Sequence, residues 1–473
     1  MVLKTDVDRA EGEELIRNLE YFRAALGVLA SLDYSDKLQD KIRVYAFRSE
    51  LAYRRLSDST DTAGFYVNTP EGGVAVIHAG RSENEFQLSG RQILLHEYAH
   101  HLLHHYSSFN YPTWYDEGFA DYVSTMEFDG GKTVVGKPLL NRFFALRQNQ
   151  NEWLPIGELV NHRTGYLKNR RSSSKSFSDR SFQYSQGWLL THFVHNSADF
   201  APRLPAYLTR LSQSRDSTEQ VFQTSFGVSY EEMGQAVRKY WKGQKLPYQV
   251  YDLSETLKGI SIVYELLEHS SDELIESEAS VRAQMPFDLD SAYAVFSSAQ
   301  KLRPVAMREL RVEAALQAEA WDRAERAIAE LEQQEPTNAW LPIFAVRRFL
   351  GKNYEENHQS WNLSREEHQH LKANCETALE RNPSSVWARL LDARSDIAAE
   401  APDEHTLERL LEVRELAPDL TQPKYDLVYV LAKLGRVDEA LNTVNSLLRW
   451  SAHGASPSLR RLKEQLLLMK NSQ

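Results

Sequence analysis

Apolar residues recur at helix and strand spacing through the first half of the chain. In residues 11–32 they lie three and four positions apart, which predicts a helix. Runs rich in Val, Tyr and Phe predict strands that begin at Ile42 and cover Gly64–Asn68 and Gly73–His78. Further helices are predicted after Ser89 and over 113–126, 139–147, 155–160, 182–195 and 200–246. This order indicates an α+β fold, with a small N-terminal sheet followed by a helical subdomain.

The C-terminal third repeats one helical pattern. Trp321 begins a segment in which small and apolar positions precede Pro336, and similar endings lead to Pro383 and Pro418. The segment Leu434–Leu441 is the most complete unit. This pattern resembles the tetratricopeptide repeat, in which a small residue lets two helices approach and a Pro ends the unit. Polar residues 352–370 break the register and are interpreted as an insertion.

The resemblance implies an all-α solenoid of stacked helix pairs, usually a surface for partner peptides. The alternative is a helical cap that only buries the preceding domain. We therefore predict three parts: an α+β domain over 1–246, a connector over 247–300, and a repeat domain over 301–473. The length of 473 residues agrees with more than one core.

Composition narrows the possible partners and compartments. The net charge of −11 has both signs interspersed, so nothing indicates nucleic-acid binding. No run of 18 apolar residues predicts a transmembrane helix, and the single Cys375 allows no intrachain disulfide. The first residues lack a signal-peptide core and look like a strand running into a helix. The compartment stays open: cytoplasmic if Met1 is the natural start, periplasmic or exported if a leader was removed.

The chemistry is concentrated at His96-Glu97-Tyr98-Ala99-His100, an H-E-x-x-H motif within a predicted helix. Residues four apart lie on one helical face, so both imidazoles can point at one metal ion. Glu97 lies beside that face and can reach a metal-bound water. This grouping is what a catalytic Zn²⁺ site needs.

A third ligand is expected from the next helix. Glu117 lies in its early turns, and Asp121 follows one turn later on the same face. A carboxylate at Asp121 can accept the second ring N–H of a ligand histidine and fix its tautomer. His104 continues the His96 face as a hydrogen-bonding residue, whereas His101 and His105 are expected on the helix surface.

These motifs resemble the gluzincin metallopeptidases, the group of thermolysin and the aminopeptidase-N-like enzymes. The wording Trp114-x-x-Glu117-Gly118-x-Ala120 is closest to the aminopeptidase-N-like branch. The resemblance implies zinc ligands at His96, His100 and Glu117, with Glu97 as general base. It also implies a strand that pairs with extended substrate, for which Gly73–Ile77 is the candidate, an ordinary internal strand being the alternative. The G-x-M-E-N element of that branch is absent, which puts aminopeptidase specificity in doubt. The metzincin pattern fails, because Leu103 and Tyr106 stand where it needs Gly and His.

A zinc hydrolase also needs a donor to the oxyanion. Tyr184, at the start of a later helix, is the first candidate. His192, Tyr166 and His162 are the alternatives. The basic, Ser-rich residues 161–181 are expected to form a loop, either a lid of the cleft or a solvated loop without a role.

The sequence thus predicts a zinc-dependent peptidase acting on peptide or protein substrates, with repeats for partner or substrate binding. The alternative is a repeat scaffold with a structural or inactive zinc site. Endo- or exopeptidase action and the oligomeric state are left open.

Overall fold

The computed structural model describes residues 1–34, 42–57, 63–80, 88–107, 111–161, 179–213, 216–243, 245–260, 263, 272–355, 360–361, 363–450 and 457–471. The described chain is mostly helical with small sheets. Within these ranges, no helix combines the length and the apolar run that a bilayer crossing requires.

The N-terminal sheet contains four strands in the order β1-β2-β4-β3. Its strands are β1 Val2–Thr5, β2 Arg43–Phe47, β3 Gly64–Thr69 and β4 Gly72–His78. The first three in sheet order are parallel, and β3 is antiparallel to β4. Gly73–Ile77 is not a strand open to substrate: the alternative, an ordinary internal strand, is confirmed, because β2 and β3 pair with its two sides. The edge beside it is β3.

Alternating side chains of the sheet enter two different cores. Val44 and Ile77 pack against α1 (Arg9–Leu29) and α3 (Gly90–Tyr106). Their neighbours Tyr45 and Val76 point the other way, toward α2 (Glu50–Leu56) and α12 (Asp272–Arg282). Period-two alternation therefore places the sheet between α1 and α3 on one face and α2 and α12 on the other.

The helical subdomain surrounds α4 (Thr113–Ser124), in which every residue from Trp114 to Ser124 is buried. Around it lie α5 Leu140–Gln148, α6 Ile156–Asn161, α7 Asp179–His195, α8 Leu204–Gln213, α9 Thr218–Phe226 and α10 Tyr230–Lys242. A three-stranded sheet joins β5 Glu127–Asp129, β6 Lys132–Val135 and β7 Gln249–Asp252. A short helix, α11 (Ser254–Leu257), follows β7.

Two glycines allow α4 and α7 to touch through their backbones. A Cβ at Gly118 would lie 2.6 Å from the carbonyl oxygen of Gly187, and a Cβ at Gly187 would lie 2.8 Å from that of Trp114. Real Cβ contacts are not that short. Gly118 follows Glu117 directly, so the helix contact that it permits also fixes the position of Glu117.

The C-terminal part is a stack of helix pairs. Consecutive helices contact each other, and α14, α16, α18 and α20 also contact one another in turn, as in a repeat solenoid. The helices are α12, α13 Leu289–Ser298, α14 Pro304–Gln317, α15 Trp321–Gln334, α16 Trp340–Lys352, α17 Arg365–Arg381, α18 Val386–Ala398, α19 Glu404–Leu416, α20 Gln422–Lys433, α21 Val437–Trp450 and α22 Pro457–Asn471. The predicted insertion contains the hairpin of β8 (Tyr354–Glu355) and β9 (Ser360–Trp361).

The segment 247–300, predicted as a connector, contains ordered elements. Its β7 pairs with β6 of the helical subdomain, and α12 and α13 pack on α14 at the start of the stack. We therefore describe α12 to α22 together as the repeat module. The exact domain boundaries stay a prediction.

Buried charges join the repeat module to the turn between β3 and β4. Glu71 in this turn is ion-paired with Arg282 at the end of α12 and lies 3.8 Å from Arg43. Arg347 of α16 binds Glu313 of α14 through two contacts of 2.6 and 2.8 Å, close to the same turn. The turn thus lies against the side of the stack formed by α12, α14 and α16.

The helix contact at Gly118 gives a testable prediction. Gly118→Ala should lower the free energy of unfolding by about 1–3 kcal/mol, since the added methyl overpacks a backbone contact. Gly234→Ala in α10 is the matched control, because its Cβ would meet a neighbour at an ordinary 3.4 Å and Ala favours a helix by about 0.5–1 kcal/mol. Urea unfolding of both variants measures the difference. Equal effects would contradict the packing account.

Candidate metal centre

The first two candidate ligands are positioned by α3. Its start is fixed by a capping box in which Ser89 accepts from the Gln92 backbone and Gln92 bonds back. Leu94, Leu95 and Ala99 bury the opposite face of the helix. His96 and His100, one turn apart, then lie with their Nε2 atoms 3.1 Å from each other.

The third candidate ligand comes from α4, which begins after Pro112 as predicted. Glu117 Oε2 lies 3.4 Å from His96 Nε2 and 3.7 Å from His100 Nε2. Bonds of about 2.0–2.1 Å to a tetrahedral zinc ion would separate neighbouring ligand atoms by about 3.3 Å. The three atoms therefore have the spacing that one zinc ion requires.

Each candidate histidine faces a carboxylate with its other ring nitrogen. His96 Nδ1 lies 3.1 Å from Asp121 Oδ1, and His100 Nδ1 hydrogen-bonds to Asp116 Oδ1 at 3.0 Å. Arg142 of α5 in turn donates to Asp121 at 2.7 Å. The hydrogen bond to Asp116 fixes the ring of His100, whereas Asp121 faces His96 Nδ1 at close range without a well-aligned hydrogen bond. The predicted position of Asp121 beside a histidine is present in the structure.

Asp116 and Arg142 were missed by sequence reasoning. Asp116 stands next to Glu117, and its distance from His100 could have been estimated from the two-helix geometry. Arg142 gives no local signal, because it reaches the site from a separate helix.

The buried carboxylates around this site favour positive charge on or between the histidines. Burial opposes protonation of His96, yet its contacts with Asp121 and Glu117 raise its pKa to about 9 without metal. The pKa of His100 is likewise raised against the effect of burial, chiefly by Asp116. Burial alone would raise the pKa of Glu117, but the two histidines hold it below its ordinary value. The lone pairs of two histidine nitrogens and the negative charge of Glu117 converge here, so the site favours bound protons or a bound cation.

Glu97 occupies the next position on α3 and is half-buried. Within the described part of the chain, its carboxylate forms no hydrogen bond or ion pair. No hydrogen bond or ion pair from the described residues therefore holds the Glu97 carboxylate in place.

The candidates for the oxyanion donor lie in different surroundings. Tyr184 is half-buried near the start of α7, and its ring centroid lies 5.8 Å from the guanidinium carbon of Arg142, the partner of Asp121. His192 is fully buried, with Nδ1 2.8 Å from the Tyr240 hydroxyl and Nε2 2.9 Å from the Gly136 carbonyl oxygen. His162, Tyr166 and most of the predicted loop 161–181 lie outside the described residues.

The other histidines of α3 differ in part from expectation. His104 hydrogen-bonds to Asp116 at 3.0 Å, as a hydrogen-bonding residue should. The expectation that His101 and His105 lie on the surface is wrong, because both are buried. They lie close to Val386 and to the α19–α20 loop at Ala417 and Leu420, so the repeat module covers this face of α3.

His100, His104 and Asp116 form a second group with metal-like spacing. One oxygen of Asp116 accepts from both histidines at 3.0 Å, which accounts for the group without an ion.

No protein-family model and no curated protein matches this chain. Among solved structures, a thermophilic TPR protein from Thermus thermophilus is similar over 38% of this chain and 91% of its own, at 16% identity and a TM-score of 0.30. A TM-score this low does not establish a shared fold.

The buried His192 predicts a pH effect on stability. Burial lowers its pKa to about 4, below the ordinary 6.5. The contribution of neutral His192 to folding stability is therefore fully present above pH 6.5 and is lost as the pH falls toward 4. His192→Gln cannot take up that proton, so its melting temperature should fall less than that of the wild type between pH 7 and 5. Parallel melting curves for the two proteins would contradict this.

Proposed function

We propose that this chain is a zinc-dependent peptidase. The observation that supports the proposal most is the triangle of His96 Nε2, His100 Nε2 and Glu117 Oε2, with sides of 3.1, 3.4 and 3.7 Å. The donor set of two imidazoles and one carboxylate is typical of catalytic zinc sites that keep a position open for water. A closed structural site would need a fourth protein ligand, and the described residues place no further His, Cys, Asp or Glu in this group.

Zinc held there would supply a Lewis acid that activates water and polarises a carbonyl. The chain's own residues do the remaining work. Glu97 accepts the proton of the attacking water and passes it to the leaving amine. Tyr184 is our candidate donor to the oxyanion. Asp116 and Asp121 orient the ligand rings, and Arg142 holds Asp121.

The proposed substrate class is supported by the sheet beside the site. Of the two edge strands, β1 and β3, it is β3 that contacts α3 directly. An extended peptide can add to such an edge through main-chain hydrogen bonds. This supports a peptide substrate bound beside the metal helix, with β3 taking the place first assigned to Gly73–Ile77.

A repeat scaffold is the second candidate function. It is supported by the stacked helix pairs of the repeat module, an architecture often used for protein partners. In this chain, however, the turn around Glu71 already lies against α12, α14 and α16. A partner would therefore bind other surfaces of the module, and its binding would not depend on Glu97.

The peptidase proposal predicts the behaviour of Glu97→Gln. The variant should bind zinc like the wild type, since Glu97 is not a ligand, and lose at least about 10²–10⁴-fold in turnover, since the proton acceptor is gone. Mass spectrometry of a mixed peptide library measures cleavage, and metal analysis measures zinc. Glu231→Gln, at an exposed position of α10, should keep full activity.

Hydrolysis that persists in Glu97→Gln would disprove the mechanism. Zinc binding without any cleavage by the wild type would favour the scaffold instead.

A further inference from the structure

The loop between α19 and α20 brings a buried carboxylate of the repeat module to α3, the helix that carries His96 and His100. Asp419 in this loop has a side chain only 11% exposed. Its Oδ1 lies 3.4 Å from His104 Nδ1, and its Oδ2 lies 3.6 Å from His101 Nδ1. Oδ2 forms no hydrogen bond with the described residues, although it is buried. A buried carboxylate needs a compensating charge or donor, and α3 supplies the closest one.

From His104 the contacts continue to the candidate metal site. The other nitrogen of His104, Nε2, lies 3.0 Å from Asp116 Oδ1. The same oxygen accepts from His100 Nδ1 at 3.0 Å, and His100 Nε2 faces Glu117. His104 thus lies between two carboxylates, one from the helical subdomain and one from the repeat module.

The position of this loop is fixed by contacts elsewhere in the module. Leu420 is buried in the core of α18 to α21, directly after Asp419. At the other end of the module, α12 packs on the sheet and Arg282 binds Glu71. The Asp419 carboxylate is therefore held against α3 by both ends of a packed stack.

If Asp419 served only to dock the repeat module, its contact with His104 would be sufficient. The hydrogen bonds, however, continue beyond His104 to the candidate site. Here His104 shares its acceptor oxygen with a candidate metal ligand, so a change in His104 orientation shifts the hydrogen bond that sets the ring of His100.

We propose that Asp419 is a positioning residue of the metal centre, supplied by the repeat module and acting on His100 through His104 and Asp116. This inference rests on the proposed zinc site. It gives the module a role in the reaction centre of its own chain: the site is fully ordered only when the module is docked.

The test is a zinc competition titration with a chromogenic chelator, performed on the full-length chain. Asp419→Asn keeps the size of the side chain and removes its charge, and we expect about tenfold weaker zinc binding, at the lower end of the effects of outer-shell partners. Asp426→Asn is the matched control: Asp426 is also mostly buried in the module, but pairs with Arg394 at 3.1 Å. It should bind zinc like the wild type.

A double-mutant cycle separates positioning from docking. If Asp419 acts through His104, then adding Asp419→Asn to His104→Gln should change zinc affinity little further. Asp419→Glu, which retains the charge, should recover part of the affinity. Unfolding of the metal-free proteins should show that Asp419→Asn and Asp426→Asn lose comparable stability.

Unchanged zinc affinity in Asp419→Asn, or fully additive effects with His104→Gln, would overturn the positioning role while leaving the zinc site intact. A wild-type chain that binds no zinc would overturn the proposed function itself, and the inference with it.

Discussion

The candidate site depends on the balance of charge in a buried cluster. Four carboxylates, those of Asp116, Glu117, Asp121 and Asp419, lie around the end of α3 and are almost withdrawn from solvent. Among the described residues, Arg142 is the only Lys or Arg side chain within ion-pair distance of any of them. Buried negative charge is costly unless it is matched. His104, whose pKa is raised to about 10 by Asp116 and Asp419 against the effect of burial, supplies a second positive charge.

Zinc bound as proposed would supply two further positive charges beside these carboxylates. In the absence of metal, the raised pKa values of His96 and His100 indicate that the same carboxylates favour positive charge at this site.

The candidate ligands could be predicted from the sequence because their positions depend on residues close to each other in the chain. The spacing of His96 and His100 and the helix start after Pro112 determine where three ligands point, within two adjacent helices. The repeat pattern likewise indicated helix pairs, since small residues such as Ala440 and the terminal prolines are sequence-local signals. The strand runs were also predicted, but not the place of Gly73–Ile77 in the sheet, which depends on pairing with β2.

What could not be predicted comes from contacts between distant segments. Arg142 reaches Asp121 from another helix, and Asp419 reaches His104 from more than 300 residues away in the chain. His101 and His105 look like surface residues on α3 alone, but β3 and the repeat module lie against this face of the helix. The repeat module packs on both the sheet and α3, so it forms part of the core around the candidate site.

The most direct test of the account is the metal content of the purified chain, measured by mass spectrometry for the wild type, His96→Ala and His78→Ala. His78 is a half-buried histidine at the end of β4, with Nε2 3.2 Å from the Arg48 carbonyl oxygen, and is not a member of the ligand triangle. The account predicts about one zinc per chain in the wild type and in His78→Ala, and its loss in His96→Ala. No zinc in the wild type, or zinc that survives His96→Ala unchanged, would contradict it.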